Sequence, residues 1–123
     1  AERCSASTRR ALQAAEAHAA ARTSDPNDYR LADSALHVSI AEVSQSARLI
    51  SAEAQIQIEL SEMLRTIPRP AVALASSHRQ HVPLLQAIYD GDAATARALA
   101  LEHVEGTYDW LLGLRLGKFR TPR

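Results

Sequence analysis

Residues 81–103, HVPLLQAIYDGDAATARALALEH, decide the fold because a turn separates two stretches of helical character. Gly91 suits the left-handed position that ends a helix, and Asp92 can cap the helix that follows. The sequence places His81 ten residues before Gly91 and His103 twelve residues after it. Because each helical residue rises about 1.5 Å, an antiparallel hairpin brings the two imidazoles to nearly equal depth. The stretch therefore predicts a helical hairpin that carries two facing histidines.

A second pair, Asp33 and His37, lies one helical turn apart in an earlier stretch of helical character. Three imidazoles and one carboxylate suit borderline divalent ions such as Zn, Ni, Co or Mn. Four protein ligands on three helices leave coordination positions open on a six-coordinate ion, where the carboxylate of a small molecule could bind. We therefore predict a metal site formed by Asp33, His37, His81 and His103, with zinc or nickel as the favoured ions.

Each of these histidines also has a simpler interpretation. Asp33 and His37 could form a surface pair on a helix, and His81 and His103 could each be hydrogen-bonded to backbone. His78, one turn before His81, could orient a ligand or replace one, but the favoured interpretation is an exposed histidine in a first helical turn. His18 has no partner at a suggestive spacing, so we assign it to solvent.

The composition predicts one all-α domain, an antiparallel helical bundle. The chain has 123 residues with 46% hydrophobic and only 4% aromatic side chains, and its abundant alanine favours helices over sheets. Fourteen basic and fourteen acidic residues cancel, which argues against a nucleic-acid or anionic-membrane surface in this segment. No apolar stretch is long enough for a membrane span, and the lone Cys4 fits a reducing, cytoplasmic location.

Three helices are predicted in the first half of the chain. The first covers about residues 5–22, and the second is capped by Asn27 or Asp28 and continues to about residue 44. The third carries apolar residues at near-heptad spacing, which predicts a buried bundle seam. These residues are Leu49, Ile56, Leu60, Met63 and Ile67.

Two prolines, Pro68 and Pro70, end the third helix, and a connector follows to about residue 76. A capping-box pattern, Ser-x-x-Gln, then predicts a fourth helix over residues 77–89. Pro83 falls beyond the first turn of that helix. We therefore expect either a kink near His81 or a later helix start.

The last helix is predicted to run from its cap, Asp92, to about Leu116, and residues from Gly117 onward are expected to be frayed. Its apolar positions are Leu99, Val104, Trp110, Leu111 and Leu114.

Two separate stretches resemble one known family. Residues 33–49, DSALHVSIAEVSQSARL, resemble the signature D-x-x-F-H-x-x-I-A-x-A-S-x-N-x-x-L of the FCD domain. That domain is the effector-binding C-terminal domain in the FadR branch of the GntR-family bacterial transcription regulators. Residues 81–97, followed by His103, are similar to its later pattern H-x-x-I-L-x-A-I-x-x-G-D-x-x-x-A and final histidine. The sequence departs from the family at Leu36, where Phe is common, and at Ser46, where Asn is common.

The resemblance implies that residues 1–123 form an effector-binding helical bundle. Asp33, His37, His81 and His103 each match a metal-ligand position of the family, in which zinc or nickel often helps to hold a small organic acid. Ligand binding in such homodimeric regulators alters how an N-terminal winged helix-turn-helix domain holds operator DNA. That domain and the first bundle helix are expected to precede this chain, which leaves about five helices of a family six and no DNA-binding surface here. Ile40, Ser44 and His78 are the candidate effector-pocket residues.

Function is therefore expected to be ligand linkage rather than enzymatic turnover. One alternative is a metalloenzyme in which the ion activates water and Glu102 or His78 acts as a base. Another is a metal-free helical interaction module. Metal content, and the response of the melting temperature to carboxylates, distinguish these hypotheses.

Overall fold

The computed structural model describes residues 4–67 and 69–115, and these residues form α-helices and no strand. In chain order the helices are α1 (Ala6–Ala20), α2 (Pro26–Glu42), α3 (Ala47–Leu64), α4 (Ala71–Arg79), α5 (His81–Tyr89) and α6 (Ala93–Arg115). Only Gln80 separates α4 from α5, so the described chain has five helices when these two are counted as one interrupted helix. The predicted all-α bundle is confirmed.

The start of α2 differs from the prediction. Asp25, rather than Asn27 or Asp28, caps the helix, and its carboxylate accepts hydrogen bonds from the backbone N–H groups of both those residues. Pro26 then occupies the first helical position, where its missing N–H donor is not needed. The choice of Asn27 or Asp28 as the cap was wrong because the proline was interpreted as part of the turn.

The region before α5 also differs from the prediction. Residues 71–79 are already helical after Pro70, so the predicted connector to residue 76 and the cap at Ser77 are wrong. The chain breaks at Gln80, and α5 begins at His81, which places Pro83 in the first turn. The later helix start that Pro83 predicted is therefore confirmed.

The turn between α5 and α6 forms as predicted. Gly91 has a φ of 71°, in the left-handed region, and the Asp92 carboxylate accepts a hydrogen bond of 3.1 Å from the backbone N–H of Thr95. The helix α6 continues through Arg115. The predicted helix end at Leu116 and the predicted frayed tail from Gly117 lie outside the described residues.

Helix α2 lies at the centre of the bundle because both core clusters include its side chains. Leu36 of α2 packs with Leu12 of α1 and Leu85 of α5, and all three are at most 3% exposed. A second cluster joins α1, α2 and α4 through Ala19, Tyr29, Ala32 and Leu74. These contacts fix which face of α2 points inward, and Asp33 lies on that face.

Helix α3 packs against α2, but its near-heptad apolar residues are not a buried seam. Leu49, Ile56 and Met63 are 58%, 54% and 45% exposed, whereas the buried side chains of α3 are Gln57 and Leu64. The predicted seam is wrong because other residues of α3 contact α2. None of the described helices is long and apolar enough to cross a membrane.

Candidate metal centre and ligand cavity

Three histidines from three helices converge at one point between α2, α5 and α6. One ring nitrogen from each of His37, His81 and His103 lies within 4.8 Å of the others. The Nε2 atoms of His81 and His103 are 3.2 Å apart, and both side chains are buried. The α5–α6 hairpin therefore brings its two imidazoles to the same depth, as the residue spacing predicted.

Asp33 adds a carboxylate oxygen to this histidine cluster. Its Oδ1 atom lies 3.6 Å from His37 Nε2 and 3.5 Å from His81 Nε2. The Tyr29 hydroxyl donates to the same oxygen at 3.2 Å, and the Arg30 guanidinium pairs with Oδ2 at 3.0 Å. The buried carboxylate is thus held in place by two neighbours while Oδ1 faces the imidazoles.

Three separations between neighbouring donor atoms are close to those of a metal coordination shell, and the three histidine nitrogens lie within 4.8 Å of one another. With metal–nitrogen distances of about 2.0–2.1 Å, neighbouring ligands lie about 3.3 Å apart around a tetrahedral ion and about 3.0 Å apart around a six-coordinate ion. The observed separations of 3.2, 3.5 and 3.6 Å are close to both values. The four side chains also combine nitrogen and oxygen donors that borderline divalent ions accept. The residues present therefore fit a divalent transition metal.

The outer nitrogens of the histidines have partners that orient the rings. Gln80 Oε1 lies 2.7 Å from His103 Nδ1, which assigns the ring proton to Nδ1 and leaves Nε2 as a lone-pair donor. His81 Nδ1 lies 3.4 Å from His78 Nδ1, and His37 Nδ1 is 3.9 Å from Glu53 Oε1. In all three rings, Nε2 is therefore the nitrogen that faces Asp33 or another histidine of the cluster.

His78 is buried, with 7% exposure, so its interpretation as an exposed first-turn residue was wrong. Its Nε2 atom lies 3.0 Å from Glu16 Oε1 on α1, and its ring packs edge-on against Tyr29. This contact extends a chain of polar groups from Glu16 through His78 to His81. His18 is exposed, as predicted.

Burial sets the protonation of His81 and His103, whereas neighbouring charges set that of Asp33. Burial lowers the pKa of His81 to about 3 and that of His103 to about 4, and neighbouring histidines add to both shifts. Burial alone would raise the pKa of Asp33, but His37 and Arg30 hold it below its usual value. Above pH 5 His81 and His103 are therefore neutral and the carboxylate is ionised, which is the protonation state that metal ligands of these types require.

A cavity of about 610 Å³ lies against the histidine cluster. Asp33, His37 and His103 form part of its wall. Most of the remaining wall is apolar and comes from α2, α3, α5 and α6: Ile40, Leu49, Ile56, Leu60, Leu84, Val104 and Leu111. A pocket of this size and character suits a small organic ligand. The exposed apolar residues Leu49 and Ile56 therefore line this cavity instead of a bundle seam.

The candidate pocket residues divide into two groups. Ile40 and Ser44 line the cavity on the same stripe of α2 as Asp33 and His37. His78 is absent from the described lining because it lies on the far side of the His81 ring, toward Glu16. Ile40 and Ser44 thus stay pocket candidates, whereas His78 contacts His81 outside the cavity wall.

Sequence reasoning missed the partners of the histidines and one arginine of the cavity wall. Glu16 and His78 are 62 residues apart, and His103 and Gln80 are 23 apart, so no local spacing could pair them. The wall also includes Arg69, which follows a proline-containing segment. The one usable signal was the position of Gln80 directly before His81, which the sequence predicts to be a metal ligand.

Comparison with known proteins agrees with this architecture. A family model of the FCD domain matches residues 1–106. No curated protein and no solved structure matches the chain. Because the family model covers most of the sequence, the chain belongs to the FCD domain family, whose members are ligand-sensing domains of GntR-family transcription regulators.

Proposed function

We propose that this chain senses a small carboxylate through a divalent metal ion held by Asp33, His37, His81 and His103. The observation that carries the proposal is the position of this cluster in the wall of the 610 Å³ cavity. Four protein ligands leave positions open on a six-coordinate ion, and carboxylate oxygens are suitable ligands for such an ion. Zinc or nickel is the favoured metal because the site is rich in imidazole.

The metal ligands lie on α2, α5 and α6, so a ligand that binds beside them contacts elements far apart in sequence. The cavity wall also includes α3 and α4 residues, such as Leu49 and Ser77. An effector that fits one arrangement of these helices better than another stabilises that arrangement by its difference in affinity. In a cytoplasmic homodimer, this shift would control operator binding by a winged helix-turn-helix domain outside this chain, with no role for a membrane.

The structure does not favour the metalloenzyme alternative, because neither of the two residues that the sequence suggested as a general base lies in the described cavity wall. Glu102 is exposed on α6, and the His78 Nε2 atom contacts Glu16. Neither residue is part of the described cavity lining. The residues around the site therefore support ligand binding better than enzymatic turnover.

Isothermal titration calorimetry of acetate and succinate tests the proposal. We expect binding to the zinc-loaded protein and none to protein stripped of metal with a chelator. His81→Ala should bind neither acid, whereas His18→Ala, which changes an exposed histidine, should bind both like the parent. Equal binding to stripped protein would contradict metal dependence, and no binding to loaded protein would contradict carboxylate sensing.

A further inference from the structure

Two arginines line the cavity beside the histidine cluster, and their surroundings differ. Arg30 contacts other side chains of the protein through Nε and Nη2. Its Nη2 atom lies 3.0 Å from Asp33 Oδ2 and also donates to Ser34 Oγ and Gln57 Oε1. The positive charge of Arg30 is therefore compensated by Asp33, and its Nε and Nη2 donors already have acceptors.

Arg69 is buried at Nε, and that atom has no hydrogen-bond partner among the residues that the structure describes. Its guanidinium carbon lies 4.7 Å from the centre of the Trp110 ring. The indole face supports the positive charge and holds the guanidinium plane, but a ring face does not replace an oxygen acceptor. A buried guanidinium donor without an acceptor is costly, so this group is suited to receive an oxyanion.

Arg69 is close enough to the histidine cluster for their charges to interact. Burial lowers the pKa of Arg69, and Asp33 and Tyr29 oppose that shift. Arg69 also lines the same cavity as Asp33, His37 and His103. One small molecule that occupies the shared cavity can therefore reach both Arg69 and the metal position.

Besides Asp33, which pairs with Arg30, the described cavity wall carries a second acidic side chain, Glu53 on α3. Its Oε1 atom accepts a hydrogen bond of 2.7 Å from Gln57 and lies 3.9 Å from His37 Nδ1. A ligand anion near Glu53 would be repelled, whereas an anion near Arg69 would be attracted. The charges thus favour a second anionic group of the ligand near Arg69 rather than near Glu53.

We infer that Arg69 binds the second anionic group of the effector, which is therefore a dianionic organic acid such as a dicarboxylate. This inference rests on the proposed function, because the first carboxylate binds the metal. The middle of the ligand contacts the apolar wall formed by residues such as Ile56, Leu60 and Val104. Arg69 thereby sets specificity for diacids over monoacids.

Matched pairs of acids test this role by calorimetry on the zinc-loaded protein: succinate with butyrate, glutarate with valerate, and adipate with hexanoate. At least one diacid should bind about tenfold or more tightly than its matched monoacid, since a hydrogen-bonded charge pair contributes about 1.5–3 kcal/mol. Arg69→Gln should remove this preference and retain monoacid binding. Arg65→Gln is the matched control, because Arg65 is exposed at the end of α3 and is absent from the described lining of this cavity.

The outcomes separate this inference from the proposed function. A diacid preference that persists in Arg69→Gln, or a parent that binds both acids of every pair equally, overturns the role of Arg69 and leaves metal-dependent carboxylate sensing intact. Failure of every acid to bind the zinc-loaded parent overturns both. The comparison of each diacid with its matched monoacid in the parent protein does not depend on the folding of any variant. Zinc content and circular dichroism melting of Arg69→Gln establish whether that variant retains the site.

Discussion

Helices α5 and α3 both carry apolar residues at helical spacing, but these residues differ in burial. Leu84 and Leu85 of α5 are 4% and 3% exposed, whereas Leu49 and Ile56 of α3 are more than half exposed. Leu85 packs against Leu12 of α1 and Leu36 of α2 in a core cluster. The exposed apolar residues of α3 instead form part of the wall of a cavity. An apolar periodicity therefore identifies a face without specifying what contacts it.

The largest difference between the two regions should appear in stability. Leu85→Ala should lower the free energy of unfolding by about 2–5 kcal/mol, because it leaves a cavity in the cluster with Leu12 and Leu36. Ile56→Ala should cost less than about 1 kcal/mol, because Ile56 is 54% exposed. Urea unfolding of metal-free protein measures both values. Equal losses would mean that α3 is as deeply packed as the hairpin.

Acid should destabilise the metal-free protein through the buried histidines of the hairpin. Their pKa values are lowered to about 3 for His81 and about 4 for His103, so the unfolded chain binds more protons between these values and pH 6.5. Stability is therefore full above pH 6.5 and falls as the pH decreases through this window, by roughly 2 kcal/mol for each histidine at pH 5.

Urea unfolding at pH 5 and pH 7.5 measures this loss. His103→Gln should reduce the pH dependence, whereas His18→Gln, on the exposed side of α1, should leave it unchanged. A loss of the same size in His103→Gln would contradict the assignment of the acid sensitivity to the cluster.

The next test compares two carboxylates near His37: Asp33 on α2 and Glu53 on α3. Asp33→Asn should weaken zinc binding by more than about 100-fold, because removing a ligand exceeds the usual effect of removing a residue that only orients one. Glu53→Gln should weaken it by less than about tenfold, since Glu53 Oε1 is 3.9 Å from the outer nitrogen of His37. Competition with a chromogenic chelator measures both affinities. The reverse order would make Glu53 the ligand.

A smaller effect is expected at Glu16, which contacts the cluster only through His78. Glu16→Gln should weaken zinc binding by about tenfold, because the carboxylate stabilises the ring orientation and basicity of His81 through His78. The matched control is Glu59→Gln, on the exposed surface of α3. Cobalt substitution adds a spectroscopic measurement, in which Glu16→Gln shifts the visible absorption bands and Glu59→Gln does not. Identical spectra and affinities in both variants would remove Glu16 from the site.

The sequence predicted the features that depend on local geometry. Gly91 and Asp92 identified the hairpin turn, and the residue spacing around them predicted the 3.2 Å approach of His81 and His103. Asp33, His37, Ile40 and Ser44, which the helical period places on one side of α2, all line the cavity, and their roles in binding stay predictions.

Features that depend on tertiary contacts were not predictable in this way. The burial of His78 requires Glu16 from α1, and the exposure of Ile56 depends on how α3 turns about its axis against α2. Two local signals were also ambiguous. Asp25-Pro26 could be a turn or a capped helix start, and Ser77 fits a capping box within a segment that is already helical.

Metal content tests the central claim most directly. After incubation with zinc or nickel and desalting, plasma mass spectrometry of the untagged parent should find close to one transition-metal ion per chain. His81→Ala should lose that ion, and His18→Ala should retain it. Absence of metal from the parent, or an equal metal content in His81→Ala, would contradict a metal site formed by Asp33, His37, His81 and His103.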